Sequence, residues 1–214
     1  QCLNNQKIKA KSLLSWQIPI ITSSEHMKSR ILSINKKFLY DELENFEVLL
    51  IPGFQGINNK GELTTLGRGG SDTSAVAVAA AMETECIIYT DVEGVFTTDP
   101  NIVPKAKKIN KISYEEMLEL ASQGAKVLQT RSVELAMRKN TKLSVRSSFK
   151  PKKIGTMITD EKSVLENNTV SGITYSKDEA KITLSRVQYK PGVSSKIFGP
   201  LAKGNINVDM ILQN

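Results

Sequence analysis

The chain has 214 residues, 40% of them hydrophobic and 24% charged, a globular composition that predicts one main domain with a smaller remainder. Because no apolar run reaches the roughly 18 to 20 residues of a membrane span and no signal peptide opens the sequence, we expect a cytoplasmic protein without a membrane partner. The net charge of +7 comes mainly from scattered lysines without interleaved aromatic residues, which argues against a nucleic-acid partner but suits small anionic ligands.

The cysteines and the single histidine form no catalytic or metal-binding pattern. Cys2 and Cys86 are far apart, and Cys86 lies in the apolar run CIIY, which predicts a small buried side chain rather than half of a disulfide. His26 has no second histidine or cysteine cluster near it, so we predict no metal site there.

Strands and helices alternate through the first part of the chain. The apolar runs VLLIPGF (48–54) and ECIIYTD (85–91) predict buried strands. The alanine-rich run SDTSAVAVAAAMET between them predicts a helix, and Ser71 and Asp72 at its start are residue types that cap helix N-termini.

Two more helices follow. In SYEEMLELASQGAKVL, Ser113 and Glu116 have the spacing of a capping box, and Gly124 marks the end of the helix. The run TRSVELAMRKN predicts the second helix. This alternation predicts an α/β domain with a mainly parallel sheet.

The composition changes at about Met157. The polar run TDEKSVLENNT predicts a linker, and it is followed by strand (VSGITYS), strand (EAKITLSRVQ), helix (GVSSKIFGPLAKG) and strand (INVDMILQ) patterns. We therefore predict a first domain over 1–158, a linker over 159–168 and a second domain over 169–214.

The stretch TTLGRGGSD, just before the alanine-rich helix, predicts an anion site. Glycines let backbone N–H groups approach a ligand, and a helix N-terminus adds unpaired N–H groups and positive dipole charge. Arg68 adds a planar cation that can grip a carboxylate or phosphate with two hydrogen bonds. A tight turn before a capped helix is the alternative. The stretch matches neither the GxxxxGK[ST] nor the GxGxxG scheme.

Three blocks carry a specific resemblance: GFQGINNKGELTTLGRGGSDTSAVAVAAAM, IYTDVEGVFTTDPNIV and ISYEEMLELASQGAKVLQTRSVELA. In this order and spacing they resemble aspartate kinases of the amino-acid kinase superfamily. The C-terminal AKITLSRVQYKPGVSSKIFGPLAKGNINVDMILQN resembles the start of the ACT regulatory region of that family. The resemblance implies a three-layer αβα amino-acid kinase fold with a mainly parallel sheet, its N-terminal part missing, followed by a partial ACT-type α+β unit.

The resemblance also implies a reaction. Aspartate kinases use ATP and Mg²⁺ to phosphorylate the side-chain carboxylate of L-aspartate, giving 4-phospho-L-aspartate, the first step toward lysine and diaminopimelate, threonine and methionine. Because that carboxylate, with a reference pKa of about 3.9, is already ionised at neutral pH, the step needs no general base. Catalysis rests instead on positioning and on cancelling negative charge.

The matching motifs imply individual roles. Arg68 and Asp72 would be catalytic, with Asp72 orienting cationic groups around the phosphates. The substrate would lie against Phe54, Arg68, Gly69, Gly70 and Ser71, and the nucleotide against Thr90, Asp91, Gly94, Phe96, Asn101 and Lys126. Phe96 and Asn101 replace a usual tyrosine and arginine of the family, which removes a hydroxyl group and a cation from the nucleotide site.

The ACT resemblance implies an effector site for lysine or threonine and a homo-oligomer formed through the ACT region. Its residues would be Pro191, Gly192, Val193, Ser194, Asn207, Val208 and Asp209. A turn before a core helix explains the glycine and the spacing of Val193 and Ile197 equally well, and Tyr189 stands where the family usually has aspartate.

The chain also lacks expected family segments. It begins after the KFGGTSV block, whose lysine contacts phosphate, and stops within an ACT unit, so we expect this chain alone to be inactive. A noncatalytic amino-acid-binding regulatory subunit is an alternative, although it would not need TTLGRGGSD. Another kinase of the superfamily, such as glutamate 5-kinase, fits the ISYEEMLELASQGAKVL block less well.

Overall fold

The computed structural model describes residues 1–14, 16–18, 20–125, 127–160, 170–175, 180, 182–187, 190–204, 206 and 208. The chain divides into two compact units, Gln1–Ser176 and Lys177–Asn214. The predicted linker lies mostly outside the described residues, so the three-part domain division stays a prediction.

The first unit alternates short strands with helices. Its helices are α1 (Cys2–Asn5), α2 (Lys36–Leu43), α3 (Gly70–Ala81), α4 (Tyr114–Ser122) and α5 (Thr130–Lys139). Its strands are β1 (Ala10–Ser12), β2 (Ile20–Thr22), β3 (Ile31–Ile34), β4 (Val48–Leu50), β5 (Gln55–Ile57), β6 (Leu63–Thr65), β7 (Cys86–Thr90), β8 (Lys111–Ser113), β9 (Leu143–Ser147) and β10 (Thr156–Thr159). The predicted helices at α3, α4 and α5 and the strands at β4 and β7 are confirmed.

The strands form three sheets, with orders β1-β4, β3-β2-β5-β6 and β7-β9-β10-β8. Parallel pairs join β1 to β4, β2 to β5, β7 to β9 and β8 to β10, whereas β2–β3, β5–β6 and β9–β10 are antiparallel. The prediction of an α/β fold rich in parallel pairs is therefore confirmed, with the strands divided among separate sheets.

Two hydrophobic cores lie in this unit, and α3 contributes to both. Val76 and Ala79 of α3 are buried in the core formed by the β7-β9-β10-β8 sheet with α4 and α5. Val78 and Met82, at the end of the same helix, pack against the second core, which is centred on Leu13, Ile18, Ile20 and Leu39. An α-helix that is apolar on all sides is buried on all sides. The plain alanine-rich sequence thus suits a helix between two cores.

The start of α3 corrects one expectation. The helix begins after Gly69, which has left-handed backbone angles (φ 70°, ψ 13°), and no side chain caps it. Ser71 and Asp72 lie inside the first turn, so the prediction that they cap the helix is wrong. The left-handed residue brings the chain into the helix at the glycine, two residues earlier than a side-chain cap at Ser71 would.

Strand β7 is buried on only one face, which corrects the prediction of a fully buried strand. On the covered face, a row of apolar side chains crosses the whole sheet, and all four are buried: Cys86, Leu143, Ile158 and Ile112. On the other face, Ile87 is 39% exposed and Met157 40% exposed. Side chains alternate between faces along a strand, and the helices of the first core cover one face. Leu50 of β4 is likewise half-exposed.

Residues 170–175, which belong to the first unit, contact other segments of that unit instead of forming the predicted strand. The Ile173 N–H donates to the Thr97 carbonyl (2.7 Å), and the Thr174 hydroxyl donates to the Gln123 carbonyl at the end of α4 (2.7 Å). The Ser171 hydroxyl donates to Glu116 at the start of α4. These bonds attach single groups of the segment to a loop and to α4, and residues 170–175 form no ladder with a neighbouring strand, so the strand prediction is wrong here.

In the second unit, helix α6 (Val193–Lys203) confirms the predicted helix. It follows Gly192, whose φ of 85° is left-handed. The described residues of the predicted strand over 179–188 form no strand, and the strand predicted over 206–213 lies almost entirely outside the described residues. Of the helices described in either unit, none is both long enough and apolar enough to cross a bilayer.

The Tyr114 hydroxyl gives a test of the first core. Its ring is buried, and its O–H donates to the Thr141 carbonyl (2.8 Å). Tyr114→Phe leaves that buried carbonyl without its donor, so we expect the free energy of unfolding to fall by about 1 kcal/mol in urea titrations with an unchanged m-value. Tyr89→Phe, at a half-exposed position on β7, is the control. Equal midpoints for the two variants would contradict this account.

Candidate functional site

The N-terminus of α3 and the β4–β5 connection form a cradle of backbone. A Cβ on Gly70 would lie 2.9 Å from the Phe54 ring, and one on Gly53 would lie 3.2 Å from Ser71 Cα. Phe54 itself has φ 72°, and its N–H donates to the buried Ser74 hydroxyl (3.0 Å). The structure thus brings together Phe54, Gly69, Gly70 and Ser71, and glycine is needed because a side chain at position 70 would meet its neighbours.

The turn that carries Arg68 is held from both sides, while Arg68 itself is exposed. The Leu66 N–H donates to the Phe54 carbonyl (2.9 Å), and the Gly70 N–H donates to the Gly67 carbonyl (2.9 Å). Gly67 has φ 78°, and a Cβ there would collide with the Met27 carbonyl. The turn therefore exposes a cation, Arg68, next to the N-terminus of α3, a combination that suits a bound anion.

A second segment, residues 23–30 between β2 and β3, lies against this turn. The Ser29 N–H donates to the Thr65 carbonyl (3.2 Å), and the Met27 N–H donates to the Thr65 hydroxyl (3.1 Å). The buried hydroxyls of Thr22 and Thr64 are 2.5 Å apart. These contacts fix the strand that leads into the turn.

The start of α5 closes the turn on its third side. The Arg131 guanidinium donates to the Leu66 carbonyl through Nη1 (2.7 Å) and to the Ser29 carbonyl through Nη2 (2.5 Å). The Gln129 side chain lies where a Cβ on Gly69 would project. Neither residue belongs to the predicted site, because their partners are distant in sequence.

Asp72 faces inward from the first turn of α3, in a partly buried position. Burial raises the pKa of its carboxyl group. Burial, with the Asp72 charge nearby, also raises the pKa of the Cys86 thiol to about 11. Asp72 therefore places a carboxyl group near the buried Cys86 thiol, and its role in orienting cations stays a prediction.

The predicted nucleotide residues lie along the segment that follows β7. The Thr90 hydroxyl donates to Asp91 Oδ1 (3.0 Å), and the Thr90 carbonyl accepts from both the N–H (2.8 Å) and the hydroxyl (2.9 Å) of Ser148. The parallel strands β7 and β9 thus end together, as ligand-binding strands do in α/β folds. Ser148 is a contact that the sequence alone did not indicate.

Gly94 and Phe96 lie beside Lys108. A Cβ on Gly94, whose φ is 147°, would stand 2.5 Å from the Thr156 hydroxyl and 3.3 Å from Lys108 Cδ. Phe96 and Lys108 form an antiparallel bridge, and the Lys108 ammonium donates to the Ile154 carbonyl. Asn101 stands farther along in an exposed turn, where its N–H donates to Asp99 Oδ1 (2.9 Å).

Glu93, in the segment that follows β7, forms ion pairs with two lysines of the turn that follows β9. Lys150 Nζ lies 2.5 Å from Glu93 Oε1, and Lys153 Nζ lies 3.4 Å from Oε2. Hydrogen bonding from Lys150, together with the charges of both lysines, lowers the pKa of the Glu93 carboxyl. The predicted nucleotide segment therefore sits among cations even though Asn101 is neutral.

Some predicted residues lie outside the described part of the chain: Lys126, Asn207 and Asp209. The other predicted effector residues belong to the second unit. Pro191 and Gly192 precede α6, Val193 and Ser194 open it, and Val208 is exposed. Pro191, Gly192 and Ser194 are exposed as well, so this helix start is accessible to a ligand.

Comparison with known proteins assigns the chain to a family. The model of the amino acid kinase family matches residues 1–147. The chain belongs to the amino acid kinase family. This amino acid kinase is similar to the aspartate kinase of Pseudomonas putida, with 51% identity over 209 residues, or 97% of this chain and 51% of that protein.

Two solved structures of E. coli aspartokinase III resemble the amino acid kinase chain over 99% of its length and 48% of theirs. The complex with lysine and aspartate, a T-state, has 28% identity and a TM-score of 0.74. The complex with aspartate and ADP, an R-state, has 27% identity and a TM-score of 0.69. The chain thus spans about half the length of the relatives it matches.

The two cysteines of this amino acid kinase give a test of the interior beside Asp72. With a pKa of about 11, about one Cys86 thiol in a thousand is ionised at pH 8, and the side chain is buried. Because the thiolate is the nucleophile, we expect iodoacetamide to label exposed Cys2 at least about 100-fold faster than Cys86 in the folded chain. Peptide mass spectrometry measures both rates, and Cys2→Ser should abolish the fast phase. Equal labelling rates would refute the burial of Cys86.

Proposed function

We propose that this chain is part of an aspartate kinase, which transfers the γ-phosphoryl group of ATP to the side-chain carboxylate of L-aspartate. The cradle that joins Phe54, the α3 N-terminus and the exposed Arg68 carries the proposal, because it presents N–H groups and a cation to a small carboxylate. The similarity to aspartate kinases over nearly the whole chain supports this substrate.

In this proposal, Arg68 binds the carboxylate with two hydrogen bonds, and the N–H group of Ser71, in the first turn of α3, donates to it as well. Phe54 closes one side, so that water is excluded from the substrate chain. Asp72 orients the cations that approach the phosphates. The carboxylate attacks as the anion, so the protein needs to hold and align it rather than to remove a proton.

The nucleotide would lie along Thr90, Asp91, Gly94 and Phe96, with Lys126 and Asn101 near its phosphates. Mg²⁺ is usually held by one or two carboxylates together with the phosphates, and exposed Asp91 suits that part. Bound there, the ion would neutralise negative charge between the two reactants. The product, 4-phospho-L-aspartate, would serve lysine, diaminopimelate, threonine and methionine synthesis, as the family resemblance implies.

The alternative of a noncatalytic regulatory subunit is not favoured. Residues 1–147 match the kinase family, and the relatives that cover the chain are aspartate kinases. Assaying the complete gene product for ADP release with aspartate and with glutamate tests the proposal. Release with aspartate alone supports it, whereas release with glutamate alone, or with neither, would refute it.

Arg68→Ala gives the sharpest kinetic test. Truncating one half of a desolvated charge pair costs about 2 to 4 kcal/mol, so we expect a higher aspartate KM and a lower kcat in the complete protein. Arg138→Ala, which removes a cation in the last turn of α5, should leave both constants unchanged. If the aspartate KM and kcat of Arg68→Ala equal those of the unsubstituted protein, Arg68 does not belong to the site.

We also propose that the start of α6 binds lysine or threonine in an ACT-type dimer. The N–H groups that follow Gly192 suit the effector's carboxylate, and an E. coli relative was solved with lysine. Calorimetry on the complete, folded protein should show saturable heat with one of the two L-amino acids and none with D-lysine. Absence of heat with both L-amino acids would overturn this assignment.

A further inference from the structure

Arg131 makes two long-range contacts from the first turn of α5. Its guanidinium donates to the carbonyls of Leu66 (2.7 Å) and Ser29 (2.5 Å), which are 65 and 102 residues away along the chain. Among the described residues no carboxylate forms an ion pair with it. Both hydrogen bonds therefore join a charged donor to a neutral backbone carbonyl, which makes them stronger than hydrogen bonds between two uncharged backbone groups.

The position of Arg131 is unfavourable for the helix itself. Gln129 is the N-cap of α5, so Arg131 is the second helical residue, where the dipole disfavours a cation by about 0.3 to 1 kcal/mol. Helix stability therefore gives no reason for a cation at this position. The two carbonyls that it holds give that reason.

The turn that Arg131 holds needs an external anchor. Arg68 stands between Gly67 (φ 78°) and Gly69 (φ 70°), and glycine loses more conformational freedom on ordering than any other residue. The Leu66 carbonyl is the last backbone acceptor before these glycines. By gripping it together with Ser29, Arg131 joins the turn to the 23–30 segment and to α5.

We propose that Arg131 is a positioning residue for the aspartate subsite: it fixes the turn that presents Arg68 to the substrate carboxylate. The proposal rests on the proposed aspartate kinase function. Arg131 is proposed to act through Arg68, because the bonds from its Nη1 and Nη2 atoms lead to the backbone of the turn and of the segment beside it. We call the two bonds from Arg131 to the Leu66 and Ser29 carbonyls the clamp. Loss of the clamp should therefore weaken aspartate binding while leaving the predicted nucleotide segment intact.

Kinetics of three variants in the complete gene product test the positioning role. Arg131→Met keeps an unbranched apolar side chain but removes every donor, and we expect its aspartate KM to rise about 10- to 100-fold while its ATP KM changes less than about 3-fold. Arg131→Lys retains a charged donor and should recover part of this loss. Arg138→Met, the same change in the last turn of α5, should match the parent. An unchanged aspartate KM in Arg131→Met would overturn the proposal.

A measurement independent of activity distinguishes the clamp from the assigned substrate. Arg68 is exposed, so trypsin can cut after it when the turn loosens. We expect Arg131→Met to speed cleavage at Arg68 at least about 5-fold, and Arg138→Met to leave it unchanged, as read by mass spectrometry of the Arg68 peptide. Equal rates of cleavage after Arg68 in Arg131→Met and in the unsubstituted protein would show that Arg131 does not hold the turn. Faster cleavage in a protein that does not turn over aspartate would uphold the clamp and refute the proposed function.

Discussion

The whole first unit depends on α3 being packed on two sides. Val76 and Ala79 enter one core, while Val78 and Met82 enter the other, so the helix cannot shift without disturbing both. Small side chains are what make this double burial possible. Because the helix is fixed, the direction of its N-terminus is fixed as well. The Arg68 turn is then positioned by α3 on one side and by the Arg131 contacts on the other.

Helix α4 shows how a later part of the chain is attached to the segment that follows β7, where the nucleotide residues are predicted. Glu116 belongs to the capping box at its start, and Gln123 stands at its end, and both accept bonds from residues 171–174. Burial acts to raise the pKa of Glu116, but hydrogen bonds from Ser171 and Ser113 outweigh it and lower that pKa. Through Ile173 and Thr97 the same stretch reaches the loop that follows β7. Hydrogen bonds to the Glu116 carboxylate and to two backbone carbonyls thus hold together three segments that are far apart in the sequence.

Local signals in the sequence were sufficient where structure is local. The capping box of Ser113 and Glu116 and the burial of Cys86 follow from neighbouring residues, and both are confirmed. The left-handed start of α3 at Gly69 was missed because Ser71 and Asp72 offered the usual caps. The Arg131 contacts could not be predicted, since nothing in the run VLQTR indicates carbonyls 65 and 102 residues away. The exposed face of β7 was also missed, because an apolar run does not reveal whether one or both faces of the sheet are packed against other elements.

The burial of Cys86 has a use beyond the native state. The thiol lies in the row that crosses the β7-β9-β10-β8 sheet, directly under α3, so a reagent reaches it only during moments when sheet and helix separate. Its modification rate at increasing denaturant therefore works as a clock for local opening, in the way that amide exchange does. One natural side chain, without any introduced probe, distinguishes opening of this core from fraying of the chain ends.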